Sequence, residues 1–161
     1  MSKMVLEPEG ERFIVVKRRF EAPPAEVYRA HTDPQLIQQW LLGPEGWTMP
    51  VCVNEAKPGG KIRYEWWSDD KGRGFYLTGE VLEVDPPHRI VHVERMHMPD
   101  PTPDNHVVTT FTADGSGTLM TMRMTLPDAA TRKAMLSTGM ERGMEASYAR
   151  LERLSRWGEA R

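Results

Sequence analysis

The chain has 161 residues, a length that fits one domain with a single core, and its apolar (39%) and charged (27%) fractions are those of an ordinary globular protein. A formal net charge of −2 gives no electrostatic case for nucleic acid or an anionic membrane, and one cysteine, Cys52, excludes an internal disulfide framework. The opening "MSKMVLEPEGER" is polar and acidic rather than signal-like, and no segment is apolar over a bilayer's width, so a cytoplasmic protein without membrane insertion is expected.

One domain over 1–161 is expected, with its core over about 12–155, and no repeat or linker is visible. After a loose start, "RFIVVKRRFEA" (12–22) is rich in β-branched and aromatic residues and predicts a strand. "PPAEVYRAHTDPQLIQQWLL" predicts two short helices. Pro24 suits a first turn, Val27, Tyr28 and His31 share a face, and Asp33 before Pro34 interrupts. Strands are then predicted at 48–55, 61–68, 74–84, 89–97, 106–113 and 118–126, separated by Gly-, Pro- and Asp-rich turns that suit an antiparallel meander.

From Asp128, a plausible N-cap, the pattern turns helical through about Ser155, with Leu136, Met140, Met144, Tyr148, Leu151 and Leu154 on one stripe. If continuous, that helix spans roughly 40 Å, enough to cross a whole sheet. Gly139 and Gly143, one turn apart, would let its backbone approach the strands closely. The order predicts an α+β architecture in which a sheet buries its apolar face beneath the last helix.

Met120, Met122 and Met124 alternate along the final strand, while Met140 and Met144 repeat at helical spacing. They are expected to face each other between sheet and helix. Unbranched, polarizable thioethers fill irregular space, so the pattern fits either a solid Met-rich core or a hollow whose contents vary.

"RIVHVERMHM" places His92 and Glu94 on the same face as Ile90, unless a bulge near the "DPP" corner turns them outward. A His and a Glu facing an apolar hollow would serve as polar contacts or as an acid/base pair. "KIRYEWW" puts Tyr64 and Trp66 on one face, as cavity wall or as plain core. Trp67, Val91 and Val93 would form an apolar strip on the outer face, suited to a homodimer contact. Trp40 and Trp47 are read as core anchors or as a gate at the cavity mouth. "HVE" resembles the zinc-deaminase motif, but no Pro-Cys-x-x-Cys follows and His97 falls on the other face, so no metal site is expected. Nucleotide-loop and hydrolase motifs are missing, and no cofactor is expected. Cys52 between two valines is expected to be an inert strand residue.

"APPAEVYRAHTDPQLIQQWLLGPEGW", "EAKPGGKIRYEW", "GEVLEVDPPHRIVHV", "GTLMTMRM" and "GMERGMEASYARLERL", in this order from about Phe13 to Leu154, resemble the activator-of-heat-shock-protein-ATPase-like family of the START-like (SRPBCC) superfamily. The resemblance implies a helix-grip fold: a curved antiparallel sheet, two short helices and a long C-terminal helix enclosing a cavity. It also implies binding of a small apolar or aromatic molecule, with polyketide cyclase-like chemistry through His92 and Glu94, or a chaperone-associated protein–protein module, as alternatives. The chain departs from the family where Val93-Glu94 replaces a common Thr-Trp and where Gly-Met replaces Gly-Trp at 139–140 and 143–144. The expected ligand contacts are Tyr64, Trp66, His92, Glu94, Met120, Met122, Met124, Met140, Met144 and Tyr148.

Overall fold

Strand-forming residues fill two segments before the first helix. The computed structural model describes residues 4–154; Ser155, where the expected last helix ends, lies outside them. β1 (Val5–Glu9) pairs with β2 (Phe13–Phe20). This segment, expected as loose chain, contains Pro8. A proline is compatible with an edge strand, where one row of N–H groups needs no partner, and β1 is such an edge.

Two helices follow, α1 (Pro24–Thr32) and α2 (Pro34–Trp40). Asp33 stands between them in an extended conformation, as its position before Pro34 requires, and its carboxylate accepts the Gln35 N–H at 3.0 Å to start α2. The remaining strands are β3 (Thr48–Asn54), β4 (Lys61–Ser68), β5 (Arg73–Asp85), β6 (Arg89–His97), β7 (Asn105–Asp114) and β8 (Gly117–Thr125). All eight strands form one open sheet in the order β1-β2-β8-β7-β6-β5-β4-β3, antiparallel throughout. The meander from β3 to β8 is the one expected. Because β2 pairs with β8 rather than β3, α1 and α2 carry the chain across to the far edge of the sheet.

The C-terminal segment departs from expectation: it is two helices, α3 (Ala129–Leu136) and α4 (Met140–Arg153). Asp128 does cap α3, accepting the Thr131 N–H at 2.7 Å. The break follows from "STG": the Ser137 and Thr138 hydroxyls donate to Ala134 O and Met135 O, and Gly139 adopts a left-handed φ of +82°. With 14 residues α4 is about 21 Å long, so it covers part of the sheet instead of crossing it. Neither glycine serves close approach to the strands. A Cβ at Gly139 would meet nothing within 4 Å, and one at Gly143 would meet Pro44 Cδ at 3.8 Å. No helix among the described residues is long and apolar enough to cross a membrane.

The buried side chains form two groups at opposite sides of the sheet. One joins β2, α1, β7, β8 and α4 through residues such as Ile14, Val16, Phe20, Phe111, Met120 and Leu151. The other joins α2 to β3, β4 and β5 through Ile37, Met49, Ile62, Tyr64, Leu77 and Val81. Polar anchors hold α4 in place: Arg150 donates to Trp40 O (3.1 Å) and Gly43 O (3.2 Å), the Gly43 N–H donates to Ser147 Oγ (2.9 Å), and Arg18 pairs with Glu152 at 3.2 Å. These anchors engage the second half of α4. Its first turns, with Met140 and Met144, stand over the space between the two buried groups.

Candidate ligand cavity

That space is a cavity of about 450 Å³ enclosed by the inner face of the sheet, α2, α3 and α4. Of the expected contacts, Tyr64, Trp66, His92, Glu94, Met122, Met124, Met140, Met144 and Tyr148 all line it. Met120 does not. It is fully buried opposite Phe111 and Arg18 in the ladder, at the end of β8 where the first core closes over the sheet. The thioethers of β8 and α4 therefore border one hollow, but only from Met122 onward.

Strand parity places the polar pair. The sheet does carry a bulge near the "DPP" corner, between Val81 and Glu83, but it lies on β5. β6 keeps its alternation, so Ile90, His92, Glu94 and Met96 all face the cavity. His92 Nε2 lies 2.7 Å from Glu94 Oε1, and the side chains are 16% and 23% exposed. A carboxylate only accepts hydrogen bonds, so Nε2 carries the hydrogen. His97 falls on the opposite face, stacked on Tyr76 at 4.3 Å with its Nε2 2.9 Å from Thr78 Oγ1. Among the described residues no group of His, Cys, Asp and Glu side chains is placed to hold a metal ion.

Register adds a relationship that the sequence conceals. Asn54, Ile62, Gly79, Glu94 and Asn105 are successive neighbours across β3 to β7. Three of these five carry polar side chains, whereas the next row is Val81, His92, Val107 and Met124. Asn54 Nδ2 donates to the Tyr64 hydroxyl at 2.8 Å, and Asn105, 2% exposed, keeps a buried Oδ1 without a partner. Burial pushes the phenols of Tyr64 and Tyr148 well above the usual tyrosine range, and the Glu94 charge adds to both shifts.

Aromatic side chains stiffen the remaining wall. Trp66 donates its indole N–H to Leu41 O at 2.8 Å and stacks on Phe75, while Tyr148 stacks on Trp40 at 5.6 Å. Trp40 is an anchor, 2% exposed with its N–H on Ala30 O. Trp47 packs edge-on against Phe75 and is not part of the cavity mouth. Thr131 and Ala134 of α3, Thr138 between α3 and α4, and Met98, Thr102 and Pro103 of the β6–β7 loop complete the lining.

His31, Asn54 and Asn105 line the cavity although they are not among the expected contacts. His31 appeared only as a member of an apolar helix face, and Asn105 fell in an expected loop, one residue before the predicted strand. The His31 ring packs against Trp40 (4.9 Å) and Phe111 (5.1 Å). Its Nδ1 lies 2.7 Å from Val27 O and so donates to it, leaving a buried Nε2 without a partner. Burial lowers its pKa to about 4, so the ring is neutral at pH 7. Cys52 is half-buried on β3 and burial raises its pKa to about 11, which keeps it a thiol.

The outer face corrects one expectation. Lys61 is opposite Glu80, which is opposite Val93, so Trp67 lies about 20 Å along β4 from the row of Val93. Val91 is 2% exposed and Trp67 44%. They form no continuous apolar strip.

The family model described as Activator of Hsp90 ATPase homolog 1-like protein matches residues 21–156. Among curated proteins none matches the chain. A crystal structure of a Rhodobacter sphaeroides protein is similar at 30% identity and a TM-score of 0.88, over 94% of this chain and 97% of that one. A Nitrosomonas europaea protein is similar at 25% identity and a TM-score of 0.81, over 96% and 100%. The AHSA1-like protein from Aeromonas hydrophila shares the fold at 20% identity and a TM-score of 0.73, over 89% and 94%.

Proposed function

The chain belongs to the activator of Hsp90 ATPase homolog 1-like family, whose START-like helix-grip fold it has, and from that premise we propose that it binds a small, mostly apolar or aromatic molecule between sheet and C-terminal helices. The observation that carries this reading is the hollow between two separately packed cores, bordered by Met122 and Met124 on one side and Met140 and Met144 on the other. A volume of about 450 Å³ is within the range of small-molecule sites, and an apolar wall with a few convergent polar groups is their usual chemistry. Methionines on both walls suit a cavity that adjusts to its contents.

The test is native mass spectrometry of the protein purified from its own host, followed by thermal melting with an apolar and aromatic library. A co-purifying molecule that raises the melting temperature when added back supports binding, because it stabilises only the folded state. A bare protein whose melting responds to nothing in the library would end the proposal.

The His92–Glu94 contact favours one second reading: proton transfer on the bound molecule, as in cyclase-like chemistry. It requires turnover with a bell-shaped pH profile. It also requires that His92→Ala abolish turnover while retaining binding.

A further inference from the structure

We propose that the molecule held in this cavity is an amine, an aromatic or apolar body whose protonated nitrogen sits on the Glu94 carboxylate. This rests on the binding reading above and narrows it to one class of ligand.

The charge inventory of the wall carries the inference. Glu94 is the only acidic side chain lining the cavity among the described residues, and no lysine or arginine lines it. Arg18, a buried cation, pairs through Nη1 with Glu152 at 3.2 Å and lies outside the lining. His92 turns its Nε2 to Glu94 at 2.7 Å, so that nitrogen is taken and is not open to a ligand. A carboxylate, phosphate or sulfate brought into this space would meet a like charge and no lysine or arginine in a medium of low dielectric, where such a mismatch is most costly.

The neighbours of Glu94 point the same way. In its cross-strand row, Gly79 contributes no side chain between Ile62 and Glu94. No other residue fits there, since a Cβ at position 79 would come within 2.4 Å of Val93 O. On the other side stands Asn105, whose buried carbonyl oxygen has no donor and adds negative potential. The Tyr64 and Tyr148 rings, which line the same cavity as Glu94, supply the aromatic surroundings that favour a cation. Glu94 keeps 23% of its side-chain surface while lining the cavity, so it is accessible to a guest.

The experiment compares three probes of one shape by calorimetry near pH 7: 2-naphthylmethylamine (ammonium), 2-naphthylmethanol (neutral) and 2-naphthoic acid (carboxylate). The amine should bind at least about tenfold tighter than the acid, the scale of one hydrogen bond to a charged group, with the alcohol between. Glu94→Gln should bring the amine to the level of the alcohol. Glu94→Asp, which keeps a carboxylate at this position, should retain an amine preference over the acid and serves if the first variant does not fold. An acid that binds as tightly as the amine, or an amine preference that survives in Glu94→Gln, would overturn the inference. Equal binding of all three removes the amine and leaves the apolar cavity reading standing. Binding of none removes both.

Discussion

The guanidinium of Arg150 donates to the backbone carbonyl of Trp40 at 3.1 Å, fixing α4 to the end of α2. The same fork reaches Gly43 O, so one side chain ties α4 to two backbone carbonyls, the first of which also accepts the Leu42 N–H at 2.8 Å. Replacing Arg150 by Ala should cost about 1–3 kcal/mol in urea unfolding, and Arg150→Lys should restore less than half, because an ammonium lacks the planar two-pronged donor. A lysine variant as stable as wild type would refute the fork.

Met120 and Met122 are two residues apart on one face of β8 and should respond very differently to truncation. Met120→Ala leaves a void in a closed core and should cost about 2–5 kcal/mol. Met122 already borders free space, so Met122→Ala should cost less than about 1.5 kcal/mol. Equal losses in chemical denaturation would mean that the space around Met122 is filled.

His31 should make stability depend on pH. Its folded pKa of about 4 is below the unfolded value of 6.5, so between these values the unfolded chain binds the extra proton. Stability from this group is full above pH 6.5, falls as pH drops toward 4, and levels off below. The loss should be roughly 1–3 kcal/mol, the smaller figure applying if the cavity hydrates the ring. His31→Phe should flatten the slope across that window in melting curves. An unchanged slope would place its origin in other groups.

The two glycines of the C-terminal segment should differ in sign. Gly139 needs its positive φ, so Gly139→Ala should destabilise by about 1 kcal/mol although nothing crowds the site. Gly143 lies inside α4 with only an ordinary contact to Pro44, so Gly143→Ala should stabilise by up to about 1 kcal/mol through helix propensity. A destabilising Gly143→Ala would restore the close-approach role that the spacing suggested.

The sequence by itself determined the elements whose signal is local. Strand alternation placed His92 and Glu94 on one face, turn chemistry separated the strands from β3 to β8, and Asp33-Pro34 and Asp128 marked helix starts. Each of these depends on interactions within a few residues, and each is legible for that reason. β1 was missed because its edge position, which tolerates Pro8, is a property of the sheet. The helix break was missed because apolar periodicity runs through "STG" unbroken, while hydroxyl capping and a left-handed glycine ended α3.

Only the tertiary structure decided what the inward faces enclose. The same alternation that groups Met120 with Met122 and Met124 cannot say that Phe111 and Arg18 close over the first and leave the others beside a hollow. The polar row from Asn54 to Asn105 draws on five strands, and its alignment follows from ladder registers that no single segment encodes. His31 became a neutral group with a buried Nε2 through rings that arrive from β7, α2 and α4. Burial and charge at a site are sums over distant neighbours, and the fold alone brings those neighbours together.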